Sequence, residues 1–265
     1  MKILVASGVS MAIILAASTN AAAQAGVPSA PPSVGAVEAA PPVSFAKPVS
    51  SFKGLFAETA KDFTRLPSRD TARWLAIGTA AALAAHPGDP RVSVMFARPE
   101  LQEAFESGQT VGSAPFQMGA AIAIFTVGRI NGNSRAVKVG GELFRAQTVA
   151  QLTTYAIKYT TQRTRPDGTS YSFPSGHTSV TVASATVLQR NFGWKVGIPA
   201  YGVAAFVAGS RLQSQRHHFS DVAFGAAIGI IAGRTVTVGS GNARMAVSPT
   251  AVPGGAGITF THVGR

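Results

Sequence analysis

Six apolar segments rich in alanine and glycine recur between Phe52 and Arg234, and they constrain the fold more than any other feature of the chain. They cover residues 74–85, 114–127, 146–157, 179–188, 196–208 and 222–232. Alanine loses no side-chain entropy on entering a helix, and apolar runs of this length outlast the usual strand. Polar or Pro-Gly punctuation separates several of them, as at His86-Pro87-Gly88-Asp89-Pro90 and Arg165-Pro166-Asp167-Gly168. The pattern predicts an all-α fold, a compact helical bundle over residues 52–234, with no internal repeat of solenoid length.

Whether such helices cross a membrane turns on how far they run without charge. A spanning helix needs ~20 mostly apolar residues. The uncharged stretches 74–85 and 222–233 hold 12 residues each, and 196–210 holds 15. The longest, 107–128, holds 22, but its first half is rich in Gly, Ser and Thr. Shorter runs are more typical of core helices. This favours an exported bundle, soluble or membrane-associated, over an integral one.

The chain ends carry their own signals. Lys2 precedes an uncharged apolar run over residues 3–17, and Ala23-Gln24-Ala25 closes the segment. This reads as a secretory signal over residues 1–25, cleaved after Ala25, with an uncleaved anchor as the competing reading. The protein is then expected in the periplasm or cell envelope. Residues 26–51 contain Pro28, Pro31, Pro32, Pro41, Pro42 and Pro48 among small residues, a composition that suits an extended tether. In the tail, 235–265, Thr259, Thr261 and Val263 alternate with Ile258, Phe260 and His262 after Pro253-Gly254-Gly255. That predicts a small C-terminal β-hairpin, with a tail lacking fixed structure as the alternative.

Composition excludes some chemistry. The 265 residues include no cysteine, which removes disulfides, thiolate metal sites and a cysteine nucleophile. Twenty-three basic residues stand against 11 acidic ones, a net charge of +12 that attracts phosphates, acidic lipid or nucleic acid. Aromatic residues are not interleaved with the basic ones, and an export signal argues against a nucleic-acid partner.

Three clusters carry candidate chemistry. Lys158 lies seven residues before Arg165, close to two helical turns, so a continuous helix places both cations on one face. Pro166 disfavours helix at Arg165 and predicts that the helix ends there. Two such cations can converge on a tetrahedral anion, or simply offset a helix C-terminus. In Pro174-Ser175-Gly176-His177, Gly176 permits a tight turn. The Ser175 hydroxyl and neighbouring N–H groups can then meet an anion at a helix N-terminus, with His177 placed to deliver a proton. The same four residues also suit an ordinary N-cap loop. The third cluster is Ser210-Arg211, then His217 and Asp221. On a helix the i,i+4 spacing brings the carboxylate to the imidazole, fixing its tautomer and freeing the other nitrogen as a nucleophile. A surface His–Asp pair has the same spacing.

Together the clusters fill, in order and within 64 residues, the three-part signature Lys-x6-Arg-Pro, Pro-Ser-Gly-His and Ser-Arg-x5-His-x3-Asp. In this the chain resembles the type 2 phosphatidic acid phosphatase superfamily. The resemblance implies that His217 attacks phosphorus and forms a phosphohistidine, oriented by Asp221. It further implies that His177 protonates the leaving alkoxide. Lys158, Arg165, Ser175, Gly176 and Arg211 would hold the phosphate oxygens. No metal or other cofactor is implied, and the five histidines form no ligand cluster in sequence. The implied partner is a phosphorylated substrate, either a lipid phosphate or a small phosphomonoester, with an anionic membrane surface as a second. Vanadate-dependent haloperoxidases share this fold, and a non-catalytic envelope anion-binding protein is a further alternative. The seven residues between Pro166 and Pro174 make a short linker for the family, which bears on substrate preference.

Overall fold

Side-chain caps open four of the helices in the computed structural model, which describes residues 51–237 in full and the backbone of 244–252 and 255–263. Ser51 accepts from the Gly54 N–H, Ser68 from Thr71, Ser113 from Phe116 and Asn133 from Ala136. Each satisfies one of the N–H groups that a helix start leaves without a partner. The helices are α1 (Phe52–Arg65), α2 (Arg69–Ala85), α3 (Asp89–Phe96), α4 (Gln102–Val111) and α5 (Ala114–Ile130). They continue with α6 (Ser134–Thr161), α7 (Gly176–Phe192), α8 (Trp194–Gln213) and α9 (Phe219–Val236). Single 3-10 turns at His86–Gly88 and Pro99–Leu101 lead into α3 and α4.

The 28-residue α6 is the spine of the bundle, with α1, α5, α7 and α9 packed along it. Leu143, Ala146, Val149 and Ala150 from α6 meet Ala183 and Val187 of α7 and Phe224 and Ile228 of α9 in one core. Small residues let α7 and α9 approach closely. A Cβ at Gly225 would fall 2.7 Å from the Ser175 carbonyl oxygen, and one at Gly229 would fall 2.5 Å from that of Ser179. This close approach draws the N-terminal ends of α7 and α9 together, and the Ser175 N–H donates to the Asp221 carbonyl at 3.1 Å.

Two ion pairs tie the outer helices on. Arg145 of α6 grips the buried Asp62 of α1 through Nε at 2.7 Å and Nη2 at 2.6 Å. Arg234 of α9 reaches Asp70 of α2 through Nε at 2.6 Å and Nη2 at 3.0 Å. By length and composition α9 could cross a membrane, yet 72% of its apolar window is buried inside the bundle. Apolar side chains are nonetheless exposed on other helices, among them Leu83 of α2, Phe116, Val127 and Ile130 of α5, and Ile198 of α8.

All six predicted segments lie within helices, and the described residues 51–237 form one compact unit. The backbone of the tail forms a separate antiparallel pair, β1 (Arg244–Val252) with β2 (Gly255–Val263), in which Ser248 faces Thr259. The signal and tether assigned to residues 1–51 fall, but for Ser51, outside the described residues. One expectation is corrected. The helix carrying Lys158 does not reach Arg165 but ends at Thr161, where Gln162 turns to φ 47°. Lys158 and Arg165 therefore share no helical face, and Arg165 stands on the following loop.

Candidate active site

Four helix ends and one loop meet at one end of the bundle. The last turn of α6 supplies Lys158, the start of α7 supplies Ser175, Gly176 and His177, and the last turn of α8 supplies Arg211. The start of α9, with the two residues before it, supplies His217 and Asp221, while the loop from 162 to 175 brings Arg163, Arg165 and Ser172.

Lys158 is buried, and its Nζ donates to the carbonyls of Tyr171 at 2.6 Å and Ser172 at 3.3 Å. Burial, and then the positive charges of Arg165, Arg211 and Arg216, pull its pKa down to about 8 against the opposing pull of Asp221. Arg211 is buried as well, which lowers its pKa to about 10 and leaves it charged near neutrality. Among the described residues, Nε and Nη1 of Arg211 and Nε of Arg165 are buried without a hydrogen-bond partner. Buried guanidinium donors are costly when unmatched, and an oxyanion matches them.

In α7 the first helical bond runs from the Ser179 N–H to the Ser175 carbonyl at 3.0 Å. The N–H groups of Gly176, His177 and Thr178 therefore have no acceptor inside the helix, an arrangement suited to an anion. The Ser175 hydroxyl is buried and accepts from Thr178 Oγ1 at 3.0 Å.

His217 is buried, and burial first, then Lys158 and Arg211, push its pKa down to about 4 despite Asp221. The imidazole is thus neutral at pH 7. His217 does not share a helix with Asp221, as the spacing had suggested, because α9 begins at Phe219. Its Nδ1 still lies 3.7 Å from Asp221 Oδ2, a contact longer than a hydrogen bond. That leaves Nε2 as the ring nitrogen turned from the carboxylate. Burial opposes ionisation of Asp221, but His217, the Ser172 hydroxyl, the His218 N–H and Arg163 together hold its carboxyl below the usual range. His177 is pushed down to about 4 by burial, Arg211, His217 and Lys158, opposed by the Gln109 backbone. His218 has its Nε2 3.1 Å from the Thr164 carbonyl.

Sequence reasoning missed Arg163 and Ser172, which bond Asp221, and Asp89 and Ser220, which bond Arg163. Arg163 stands two positions before Arg165 in a polar run, and Asp89 sits in punctuation that reads only as a turn. Neither carries a spacing that sequence alone could flag. Among the described residues, no three His, Asp or Glu side chains form a group able to hold a metal ion. Two hollows lie nearby. One is a polar cavity of about 510 Å³ between α4 and the end of α8, with Glu106, Gln109, Ser210 and Gln213 in its wall. The other is an apolar groove of about 240 Å³ lined by Leu75, Val149, Ile157 and Ile228, and Ile157 immediately precedes Lys158.

The PAP2 superfamily model matches residues 141–244, the segment that contains all three clusters. A lipid A 1-phosphatase of Porphyromonas gingivalis is 44% identical over 82 residues, 29% of this chain and 18% of that protein. A transmembrane PAP2-type phosphatidylglycerolphosphate phosphatase from Bacillus subtilis aligns with a TM-score of 0.48 at 22% identity, covering 72% of this chain and 94% of its own. The LpxE structure from Aquifex aeolicus aligns with a TM-score of 0.49 at 21% identity, covering 57% of this chain and 94% of its own.

Proposed function

We propose that this chain, a member of the PAP2 superfamily through residues 141–244, is a metal-independent phosphatase that hydrolyses a lipid phosphate monoester or pyrophosphate through a phosphohistidine on His217. The observation that carries the reading is a neutral buried His217, backed by Asp221, beside buried cationic donors with no partner among the described residues. A phosphoryl group placed there meets Lys158, Arg165, Arg211 and the free N–H groups at the start of α7. His217 Nε2 attacks phosphorus, the N–P bond forms, and the P–O bond to the alcohol breaks. Asp221 stabilises the positive charge that the imidazole gains. Fixed donors of this kind supply ~2.7–4 kcal/mol each in measured enzymes.

His177 supplies the proton to the leaving oxygen. Three of the forces that lower its pKa are the positive charges of Arg211 and Lys158 and the His217 ring, and a bound phosphate dianion offsets them. Binding therefore raises His177 toward the range where an acid is useful. Having given up its proton, it takes one from water, which attacks the phosphohistidine and releases inorganic phosphate.

The lipid class is supported by the lipid A 1-phosphatase relative. The test is phosphate release from a panel of lipid and soluble phosphate esters with EDTA present throughout. Turnover of lipid esters unaffected by EDTA is expected. His217→Ala should abolish both turnover and the acid-labile phosphate trapped on the protein after a substrate pulse. Label retained on that variant would remove His217 from the nucleophile role.

A further inference from the structure

The two oxygens of Asp221 have different surroundings. Oδ2 faces His217 and accepts the Ser172 hydroxyl, together with the His218 N–H at 2.8 Å. Oδ1 accepts from Arg163 Nη1 at 2.6 Å. Arg163 belongs to none of the three clusters, yet its guanidinium forks across the back of the site. Nη1 also donates to Ser220 Oγ at 2.7 Å, and Nη2 donates to Asp89 Oδ2 at 2.8 Å. Asp89 is buried at the start of α3, outside the segment matched by the family. It accepts the Ser220 N–H at 2.9 Å and the Ser220 hydroxyl at 2.6 Å. His86 stands at the outer edge, its Nδ1 3.1 Å from Asp89 Oδ2 and 3.3 Å from Arg163 Nη2.

We infer that Arg163 and Asp89 are a positioning pair for the proposed phosphoryl transfer, holding the carboxylate plane of Asp221 so that Oδ2 stays turned to the His217 imidazole. A carboxylate torsion is broad and nearly two-fold, so donors on one oxygen leave it free to swing. A planar guanidinium on the other oxygen removes that freedom, provided the guanidinium is itself held. Asp89 holds it. Asp89 also balances its charge, since an uncompensated cation at Oδ1 would draw negative charge away from an imidazole that turns positive during transfer. A mere tie between α3 and α9 needs only the two Ser220–Asp89 bonds. The reach of Arg163 past them to Asp221 is what the tie leaves unexplained.

The kinetic half of this inference rests on the proposed phosphatase reading, so its test needs a readout that does not. In the full chain, Arg163→Gln, Arg163→Lys and Asp89→Asn are compared with wild type in two measurements. The first is kcat and KM on a soluble phosphate monoester, with inhibition by inorganic phosphate. Arg163→Gln should lower kcat by about 10-fold or more, as loss of an outer partner of a reacting group does elsewhere. KM and phosphate inhibition should stay within about twofold of wild type, because Lys158, Arg165 and Arg211 are untouched. Arg163→Lys, which keeps the charge and loses the fork, should recover only part of the loss.

The second measurement is the nitrogen NMR signal of the His217 ring without substrate, assigned through His217→Ala. The charged and titratable groups facing that ring are Lys158 from α6, His177 from α7, Arg211 from α8 and Asp221 from α9, and all are retained in the variants. Its Nδ1–H signal should move in Arg163→Gln and Asp89→Asn. An unchanged signal overturns the inference, even if wild type releases no phosphate and the phosphatase reading falls. A fall in kcat matched by an equal weakening of phosphate inhibition also overturns it, since that marks a collapsed site. Should Arg163→Gln fail to fold, Arg163→Lys and Asp89→Asn decide by the same readouts.

Discussion

Lys158 differs from the other cations of the cradle in that its charge can be lost at an accessible pH. Burial brings its pKa to about 8, whereas Arg211 stays near 10. On an ester whose leaving group needs no proton from His177, the active form needs a neutral His217 and a protonated Lys158. Activity should therefore hold from above pH 4 to about pH 8 and fall as pH rises through it. The profile of kcat/KM reports the free enzyme, and its alkaline limb should lie near 8. A bound phosphate dianion favours the ammonium, so the limb of kcat should lie higher. A phosphate monoester is already dianionic there, its second pKa being about 6, and adds no limb of its own. Lys158→Arg should push the alkaline limb of kcat/KM beyond the measured range, whatever its effect on the maximum. A limb that stays near 8 in that variant would assign the titration to another group.

At the scale of elements, the site depends on how closely α7 and α9 pack. A Cβ at Gly229 would lie 2.5 Å from the Ser179 carbonyl oxygen and 2.8 Å from the Ala183 nitrogen, both backbone atoms that cannot swing away. Gly202 in α8 has nothing within 4 Å of the corresponding position. Replacing glycine by alanine inside a helix normally stabilises by roughly 0.4–1 kcal/mol. Gly202→Ala should therefore raise the melting temperature, while Gly229→Ala should lower it, at a cost of about 1–3 kcal/mol for the forced separation. Thermal unfolding of the two variants checks this, and a rise for both would show that the contact yields easily. The apolar helices were legible because each carries a long uncharged run. The helices α1, α3 and α4 were not. Their sequences, such as Phe52–Arg65 with five charged side chains, are too polar for an apolar pattern to mark them, and α3 is only eight residues long. In the site, the signature positions were legible because they are close in sequence. The end of α6 at Thr161 was not, because Gln162 breaks the helix ahead of Pro166 and the loop then carries Arg163 to partners 58 and 74 residues away.

For the whole molecule, two forces can hold the protein to a membrane, and salt separates them. The net charge of +12 attracts an anionic surface, an attraction whose reach shrinks to ~3 Å at 1 M salt. The exposed Leu83, Val94, Phe116, Ile130, Trp194 and Ile198 would instead bury apolar area in lipid, at ~25 cal/mol per Å², which salt does not screen. Large contiguous patches of such side chains mark a contact surface on a soluble monomer, and these residues are the candidates for one. The apolar term should therefore dominate. Membranes from expressing cells should retain the protein through washes with 1 M salt and with carbonate, and release it only into detergent. Release by salt alone would make the basic surface the holding force. Recovery in the supernatant without either would remove the membrane from the account and shift the substrate toward soluble phosphomonoesters. The cradle around His217 suits either class equally, since it grips only the phosphoryl group. Membrane attachment therefore decides which esters can reach it.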